Sequence, residues 1–173
     1  PEQAVNWDWM SEAIKNDPRE IKVLNLFAYT GGATMALSAA GAAEVVHVDA
    51  SKGMIQWAKE NMELSHLSNN KIRFIIDDCV KFVEREARRG RKYHAILMDP
   101  PSYGRGPNNE LWKLEEQIYP LVRECAALLS DNPLFFVINS YTTGLSPSVM
   151  QYMLGTKLLP IYGGSVSADE IGL

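Results

Sequence analysis

The sequence has two cysteines, few metal-binding side chains and no excess of positive charge. Cys79 and Cys125 are too few for a disulfide framework, which favours a reducing, cytoplasmic location. No apolar run approaches the roughly 20 residues that a membrane span needs, and no group of cysteines and histidines suggests a metal site. With 17 basic and 21 acidic residues, the net charge is −4. The composition therefore argues against a free-standing nucleic-acid binder, which would normally be basic.

The length of the chain favours one domain. A chain of 173 residues, 46% hydrophobic and 22% charged, can bury a substantial core but is short for two domains. We expect residues 1–173 to form this domain, with a helix in residues 1–18 packing on the core. We also expect the domain to belong to a longer chain, since the sequence starts at Pro1 instead of a methionine.

Apolar segments with the length of strands alternate with helical segments along the chain. The predicted strands are Lys22–Phe27, Glu44–Asp49, Ile72–Ile76, His94–Asp99 and Leu134–Asn139, and the predicted helices cover about residues 3–16, 34–41, 51–66, 78–89 and 110–130, with another from Ser146-Pro147. Strands that alternate with helices are parallel and joined by crossovers, so the pattern predicts a doubly wound, mostly parallel α/β fold of Rossmann-like type. We expect the strand order 3-2-1-4-5 and a further strand at about residues 160–167.

Polar or glycine-rich residues follow each of the five predicted strands. They are Tyr29-Thr30-Gly31-Gly32, Asp49-Ala50-Ser51, Asp77-Asp78-Cys79, Asp99-Pro100-Pro101-Ser102-Tyr103 and Asn139-Ser140-Tyr141. The carboxyl ends of parallel strands meet at one edge of a sheet, where open α/β folds bind their ligands. The five loops therefore predict one binding crevice.

The glycine turn and the acids indicate a nucleoside ligand. Gly31 and Gly32 let the backbone pass close to a ligand, and Asp49 can accept hydrogen bonds from both ribose hydroxyls. A dinucleotide site needs G-x-G-x-x-G, whereas this turn continues with Ala33. Asp78 could accept from an adenine amino group and has no standard role in a dinucleotide site. These features favour S-adenosylmethionine as the cofactor and leave a nicotinamide-dependent oxidoreductase as an alternative. Each acid could instead simply cap the helix that follows it.

Together these motifs resemble those of class I S-adenosylmethionine-dependent methyltransferases. More narrowly, the chain is similar to the catalytic domain of bacterial methyltransferases that act on carbon 5 of cytosine in large-subunit ribosomal RNA. The matching segments are Asn25–Gly32 (first cofactor loop), Val48–Ser51 (ribose-binding strand end), Asp77–Phe82 (adenine side), Met98–Tyr103 (catalytic loop) and the signature Glu2-Gln3…Asn6. The resemblance implies RNA as the substrate and cofactor contacts from Gln3, Tyr29, Thr30, Gly31, Gly32, Asp49, Ala50, Ser51, Asp78, Cys79 and Asp99.

The catalytic residues depart from those of the carbon-5 enzymes. Those enzymes carry, just after the fifth strand, a cysteine that adds to the cytosine ring, but this chain has Asn139-Ser140-Tyr141-Thr142 there. We therefore expect methylation of a base amino group or another heteroatom. Asp99 and the carbonyl of Pro100 could accept from an exocyclic amine, while Pro101 stiffens the loop and Tyr103 could stack on a flipped base. Asp99-Pro100-Pro101 resembles the acid-Pro-Pro-aromatic pattern of base-amino methyltransferases. The match is imperfect, because Ser102 occupies the aromatic position and Tyr103 comes one residue later.

Two other functions stay open on the sequence alone. The acidic composition favours a small molecule or a protein as the methyl acceptor. The missing cysteine also leaves open a domain that binds the cofactor and assists a partner without catalysing a reaction.

Overall fold

Five parallel strands form the central sheet of the computed structural model, which describes residues 3–105, 111–142 and 144–171. The strands in chain order are β1 (Lys22–Leu26), β2 (Glu44–Asp49), β3 (Ile72–Ile76), β4 (Ala95–Met98), β5 (Tyr103–Arg105), β6 (Leu111–Lys113) and β7 (Phe135–Ile138). The sheet has the order β3-β2-β1-β4-β7, while β5 and β6 form a separate antiparallel hairpin. The predicted parallel sheet and its strand order are therefore confirmed, with β7 as the fifth strand.

Helices cover both faces of this sheet. They are α1 (Ala4–Asn16), α2 (Gly32–Ala39), α3 (Lys52–Leu64), α4 (Cys79–Arg88), α5 (Leu114–Ala126) and α6 (Pro147–Tyr162). Neighbouring side chains of a strand point to opposite faces, so Val23 packs in the core layer that includes α1 and α2, and Leu24 in the layer that includes α4, α5 and α6. Each such side chain contributes about 1.5–3 kcal/mol by leaving water. None of the described helices is long and apolar enough to cross a membrane.

The first helix is anchored through its carboxyl-terminal half. Met10 and Ile14 are buried in the core, and the ring of Trp9 lies 5.6 Å from that of Phe135 on β7. This anchoring leaves the start of α1 at the carboxyl edge of the sheet, where it meets the loops that follow β1 and β7.

Two of the predicted elements are wrong. No strand forms at 160–167. Instead α6 continues to Tyr162, since Leu154 and Leu158 are buried at helical spacing. Gly163 and Gly164 then take positive φ angles of 68° and 86°, which are incompatible with an extended strand. The helix expected at 110–130 starts only at Leu114. Before it, the alternation of exposed Leu111, buried Trp112 and exposed Lys113 has the period of a strand.

The strand register brings together the polar and glycine-rich loops that follow the strands. Leu26 at the end of β1 is paired with Val48 of β2 on one side and with Met98 of β4 on the other. The residues that follow are therefore level with one another at the edge of the sheet, and two of them are the predicted acids Asp49 and Asp99.

Candidate functional site

A cleft of about 710 Å³ opens at the carboxyl edge of the sheet. Its lining includes every predicted cofactor residue, namely Gln3, Tyr29, Thr30, Gly31, Gly32, Asp49, Ala50, Ser51, Asp78, Cys79 and Asp99, and also Pro100 and Pro101 of the predicted catalytic loop. Trp7 and Trp112, which the sequence patterns did not select for the site, also line the cleft, together with Asn25 and Phe27 of the predicted first cofactor loop and Tyr141 of the predicted loop after the fifth strand. One cavity thus unites residues from the carboxyl ends of several strands and from the N-terminal helix.

The loop after β1 is held in a tight, strained bend. Phe27 and Tyr29 have positive φ angles of 54° and 51°, which are unfavourable for residues with a side chain, and Gly31 has a φ of 87°. The backbone N–H of Phe27 donates to the Cys79 thiol at 3.3 Å, and that of Tyr29 donates to Asp49 at 2.9 Å. These bonds from outside the loop offset the strain and fix its shape beside the cleft.

Asp49 is oriented by the backbone and not by a helix cap. One carboxylate oxygen accepts from the N–H of Tyr29 at 2.9 Å and the other from the N–H of Ser51 at 2.8 Å. Ser51 itself caps α3, since its hydroxyl accepts from the N–H of Met54. The capping alternative is therefore wrong for Asp49. Each of its oxygens can still accept a further hydrogen bond, as two neighbouring ribose hydroxyls would require.

The two acids after β3 have different surroundings. Asp78 lines the cleft and also caps α4, with Oδ1 accepting from the N–H of Lys81 at 3.0 Å. Asp77 instead forms an ion pair with Arg85 and accepts from the N–H of Asp78. The capping alternative is thus right for Asp78, and capping engages one of its two oxygens.

Neither cysteine is suited to nucleophilic attack. Burial, followed by the nearby Asp49 and Asp78 carboxylates, raises the pKa of the Cys79 thiol well above its usual value. Cys125 is fully buried in α5, and burial raises its pKa too. Both sulfurs therefore stay protonated thiols, which are poor nucleophiles. Among the described residues, no group of histidine, cysteine, aspartate and glutamate is arranged to hold a metal ion.

Trp112 takes part in the site in a way that the sequence did not reveal. Its indole N–H donates to the carbonyl oxygen of Pro101 at 2.7 Å, and its ring lies 4.9 Å from the ring of Phe27. Tyr103, the aromatic residue predicted to face the base, is 58% exposed and does not line the cleft. The reason is strand parity: in the β5–β6 hairpin Tyr103 is paired with Lys113, so it points to the face opposite Trp112.

The N-terminal segment closes one side of the cleft through side-chain amides. The Asn6 amide donates to Gln3 Oε1 and to Asn139 Oδ1, both at 3.0 Å, and the Gln3 amide donates to the Tyr141 hydroxyl at 2.8 Å. Glu2, the first residue of the predicted signature, lies outside the described residues. Trp7 covers the glycine turn, since a Cβ atom added to Gly32 would lie 2.8 Å from its ring.

Three buried polar side chains form a row of hydrogen bonds beneath the glycine turn. The Asn25 amide donates to the Thr34 hydroxyl at 2.9 Å, and this hydroxyl is 2.9 Å from His47 Nδ1. Which of the two atoms donates in this second bond depends on the tautomer of His47. Burial lowers the pKa of His47 to about 4. Gly31 lies beside this ring, and glycine suits the position because its φ is 87° and an added Cβ would lie 3.1 Å from Met35 and 3.2 Å from Ala58.

Comparisons with known proteins agree with this architecture. A family model described as S-adenosylmethionine-dependent methyltransferase matches residues 6–145. The ribosomal RNA large subunit methyltransferase K/L of Pseudoalteromonas translucida is 27% identical over 161 residues, which are 92% of this chain and 22% of that protein. The ribosomal RNA large subunit methyltransferase I of an Enterobacter species is 38% identical over 91 residues, 53% of this chain and 23% of that protein.

A solved structure shows the same likeness. The crystal structure of the SAM-dependent methyltransferase from Agrobacterium tumefaciens superposes with a TM-score of 0.85 at 43% identity, over 92% of this chain and 50% of that one. The chain therefore spans about half of this structure and less than a quarter of the two curated relatives.

Proposed function

The chain belongs to the S-adenosylmethionine-dependent methyltransferase family, and from this premise we propose that it transfers the methyl group of S-adenosylmethionine to a base in RNA. Its membership confirms the family predicted from the motifs and decides against the nicotinamide-dependent alternative. Support for RNA comes from the names of the relatives, which methylate large-subunit ribosomal RNA. A cytoplasmic location is part of the same proposal, because the free thiols Cys79 and Cys125 suit a reducing compartment.

The orientation of Asp49 carries the proposal for the cofactor. Its carboxylate is fixed by two backbone N–H groups at the mouth of the glycine turn, so both oxygens are presented to a ribose without a loss of side-chain freedom. The positive φ angles of Phe27 and Tyr29 belong to the bend in which the N–H of Tyr29 donates to Asp49. Asp78 and Cys79, on the next strand end, provide the wall for the adenine.

The chemistry we propose is transfer to an exocyclic amino nitrogen. The nitrogen lone pair forms the new carbon–nitrogen bond while the carbon–sulfur bond breaks, and its electron pair stays on sulfur to give the neutral thioether product. Asp99 and the carbonyl of Pro100 accept hydrogen bonds from the amine and hold its lone pair towards the methyl group, and the Asp99 carboxylate takes the departing proton and releases it to solvent. A thiolate that would activate carbon 5 of cytosine is not supported, because Cys79 and Cys125 are buried and protonated.

Two measurements test this function. Calorimetry with S-adenosylmethionine, S-adenosylhomocysteine and NAD should give binding of the first two only; binding of NAD alone would overturn the proposal. Transfer of a tritiated methyl group should label total RNA and not a metabolite extract or a protein extract. Label in either extract would instead favour the small-molecule or protein alternative that the net charge of −4 suggests. Cofactor binding without transfer to any acceptor would favour a binding domain.

Two variants separate cofactor binding from transfer. Asp49→Asn should weaken S-adenosylhomocysteine binding about 10- to 100-fold, because hydrogen bonds to a charged group are worth roughly 1.5–3 kcal/mol. Glu63→Gln, an exposed change on α3, is its control. Asp99→Ala should abolish transfer while leaving this affinity nearly intact, and unchanged turnover would remove Asp99 from the mechanism.

A further inference from the structure

Tyr141 is a tethered yet exposed aromatic residue in the wall of the cleft. Tyr141 is 59% exposed and lines the same cavity as Asp99, Pro100 and Pro101. It lies in the segment that follows β7, three residues after the strand ends at Ile138. The segment therefore presents an aromatic ring to the cleft beside the groups that we propose hold the acceptor.

Three hydrogen bonds fix this segment from different sides. The Gln3 amide donates to the Tyr141 hydroxyl at 2.8 Å, and Gln3 is itself oriented by Asn6. The hydroxyls of Ser102 and Thr142 are 2.5 Å apart, which joins the catalytic loop to the residue next to Tyr141. The N–H of Thr142 donates to the Ser140 hydroxyl at 3.2 Å and closes a local turn. Tethers on both sides hold the ring in place before any ligand arrives.

The same contacts explain why no aromatic side chain of the predicted catalytic loop faces the cleft. Ser102 occupies the position that an aromatic residue usually fills after the two prolines, and its hydroxyl bonds to Thr142 instead of contacting a base. Tyr103 follows but points away from the cleft. Residues 99–103 thus contribute no aromatic ring to the cleft, and Ser102 joins them to a segment that does.

We infer that Tyr141 is the surface on which the acceptor base stacks while its amino group meets Asp99 and Pro100. This inference rests on the proposed function and narrows it, since it requires a planar, aromatic acceptor. An ordered ring at the mouth of a cleft loses little entropy when a base covers it, and stacking tolerates every base. The tether from Gln3 makes the N-terminal segment a positioning element for the acceptor as well as a wall for the cofactor.

Steady-state methyl transfer to RNA tests the inference. Tyr141→Leu should raise the KM for RNA about tenfold or more, because loss of a base stack weakens binding by that order. Tyr141→Phe keeps the ring and should raise the KM less than about threefold, since stacking uses the ring and not the hydroxyl. Affinity for S-adenosylhomocysteine and the melting temperature should stay close to those of the wild type in both. Tyr152→Leu, an exposed change on α6, is the control.

The outcomes separate this inference from the function on which it rests. If the wild type methylates RNA and Tyr141→Leu leaves the KM unchanged, the stacking role is wrong and the proposed function stands. If Tyr141→Phe is as impaired as Tyr141→Leu, the hydroxyl and not the ring is the important group, and the inference is again wrong. If the wild type labels no RNA, the proposed function fails, and the inference fails with it.

Discussion

The indole N–H of Trp112 donates to the carbonyl oxygen of Pro101 across the β5–β6 hairpin, at 2.7 Å. This bond engages the carbonyl of the second proline, so we assign the amine of the acceptor to Asp99 and the carbonyl of Pro100 in the proposed function. The same indole packs on Phe27, the first residue of the strained turn after β1. A single side chain therefore sets the catalytic loop and the glycine turn relative to each other.

Removal of the indole donor should impair transfer more than cofactor binding. We expect Trp112→Phe to lower kcat about tenfold and the free energy of unfolding by roughly 0.5–1.5 kcal/mol, because the Pro101 carbonyl loses its hydrogen bond from the indole. The affinity for S-adenosylhomocysteine should change little, since a ring still covers Phe27. Stopped-assay kinetics, calorimetry and urea unfolding measure the three quantities. Trp57→Phe, at an exposed site on α3, controls for the loss of an indole; equal kcat values in the two variants would contradict the positioning role.

Gly32 should not tolerate even one methyl group. A Cβ there would lie 2.8 Å from the ring of Trp7, so Gly32→Ala forces the N-terminal helix away from the cleft. We expect a loss of about 1–3 kcal/mol in the free energy of unfolding and weaker S-adenosylhomocysteine binding.

The matched control for Gly32 is Gly53→Ala in α3. A Cβ at Gly53 meets only the Ser51 hydroxyl at 3.8 Å, so alanine should be neutral or stabilising by up to about 1 kcal/mol. Adding Trp7→Leu to Gly32→Ala should recover part of the lost stability in a double-mutant cycle. Additive effects of the two changes would exclude the predicted clash.

The buried His47 should make the protein less stable in mild acid. Its folded pKa of about 4 lies below the ordinary value of 6.5 because burial disfavours the charged ring. Between these values the unfolded chain binds one more proton than the folded one, so the free energy of unfolding falls as the pH falls. The slope is about 1.4 kcal/mol per pH unit, or roughly 3 kcal/mol across the window.

Urea unfolding between pH 4 and pH 7 measures this slope. His47→Gln should lower this slope by the amount that corresponds to about one proton, whereas His66→Asn, at an exposed site, should leave it unchanged. A residual slope of the same sign is expected from His94, whose pKa is lowered by burial and by Arg19 and Lys22. An unchanged slope in His47→Gln would mean that His47 is not neutral and buried in solution.

The two thiols should be unreactive in the folded protein. Burial keeps Cys79 and Cys125 protonated, so iodoacetamide should label neither until the chain is unfolded. Cys79→Ser retains an acceptor for the N–H of Phe27 and should lower kcat less than about tenfold, far below the loss that follows removal of a nucleophile. A loss of a thousandfold or more in a folded Cys79→Ser protein would restore a covalent mechanism, with Cys125→Ala as the control.

Much of the site could be predicted because parallel strands bring their carboxyl ends together. Asp49 and Asp99 are 50 positions apart, yet Asp49 ends β2 and Asp99 follows β4, and both strands pair in register with β1. Recognising the strands was therefore sufficient to place both acids at one edge. The paired glycines likewise appear in the sequence as a turn between a strand and a helix. These features depend on local residue patterns and on a general rule about parallel sheets.

The aromatic residues of the cleft could not be assigned in this way. Tyr103 stands next to the catalytic loop in the sequence but points outward, and Trp112, nine residues later, faces the cleft. Their orientations depend on the hairpin of β5 and β6, which the sequence pattern had assigned partly to a helix. Neighbouring residues of a strand point to opposite faces, so the side on which an aromatic ring lies depends on the exact pairing of the hairpin. Because the hairpin was not predicted, Tyr103 was assigned to the cleft in place of Trp112.

By itself, then, the sequence determined the order of the strands, the edge at which ligands bind and the acids placed there, because these follow from the local alternation of helices and strands. The tertiary structure alone decided that Trp7 covers the glycine turn, and that Gln3 and Asn6 bond to Tyr141 and Asn139. The hydrogen bonds that these side-chain amides donate join residues 138 and 133 positions apart in the sequence. Such bonds form only after the sheet has brought α1 and the end of β7 together, and no short-range pattern specifies them.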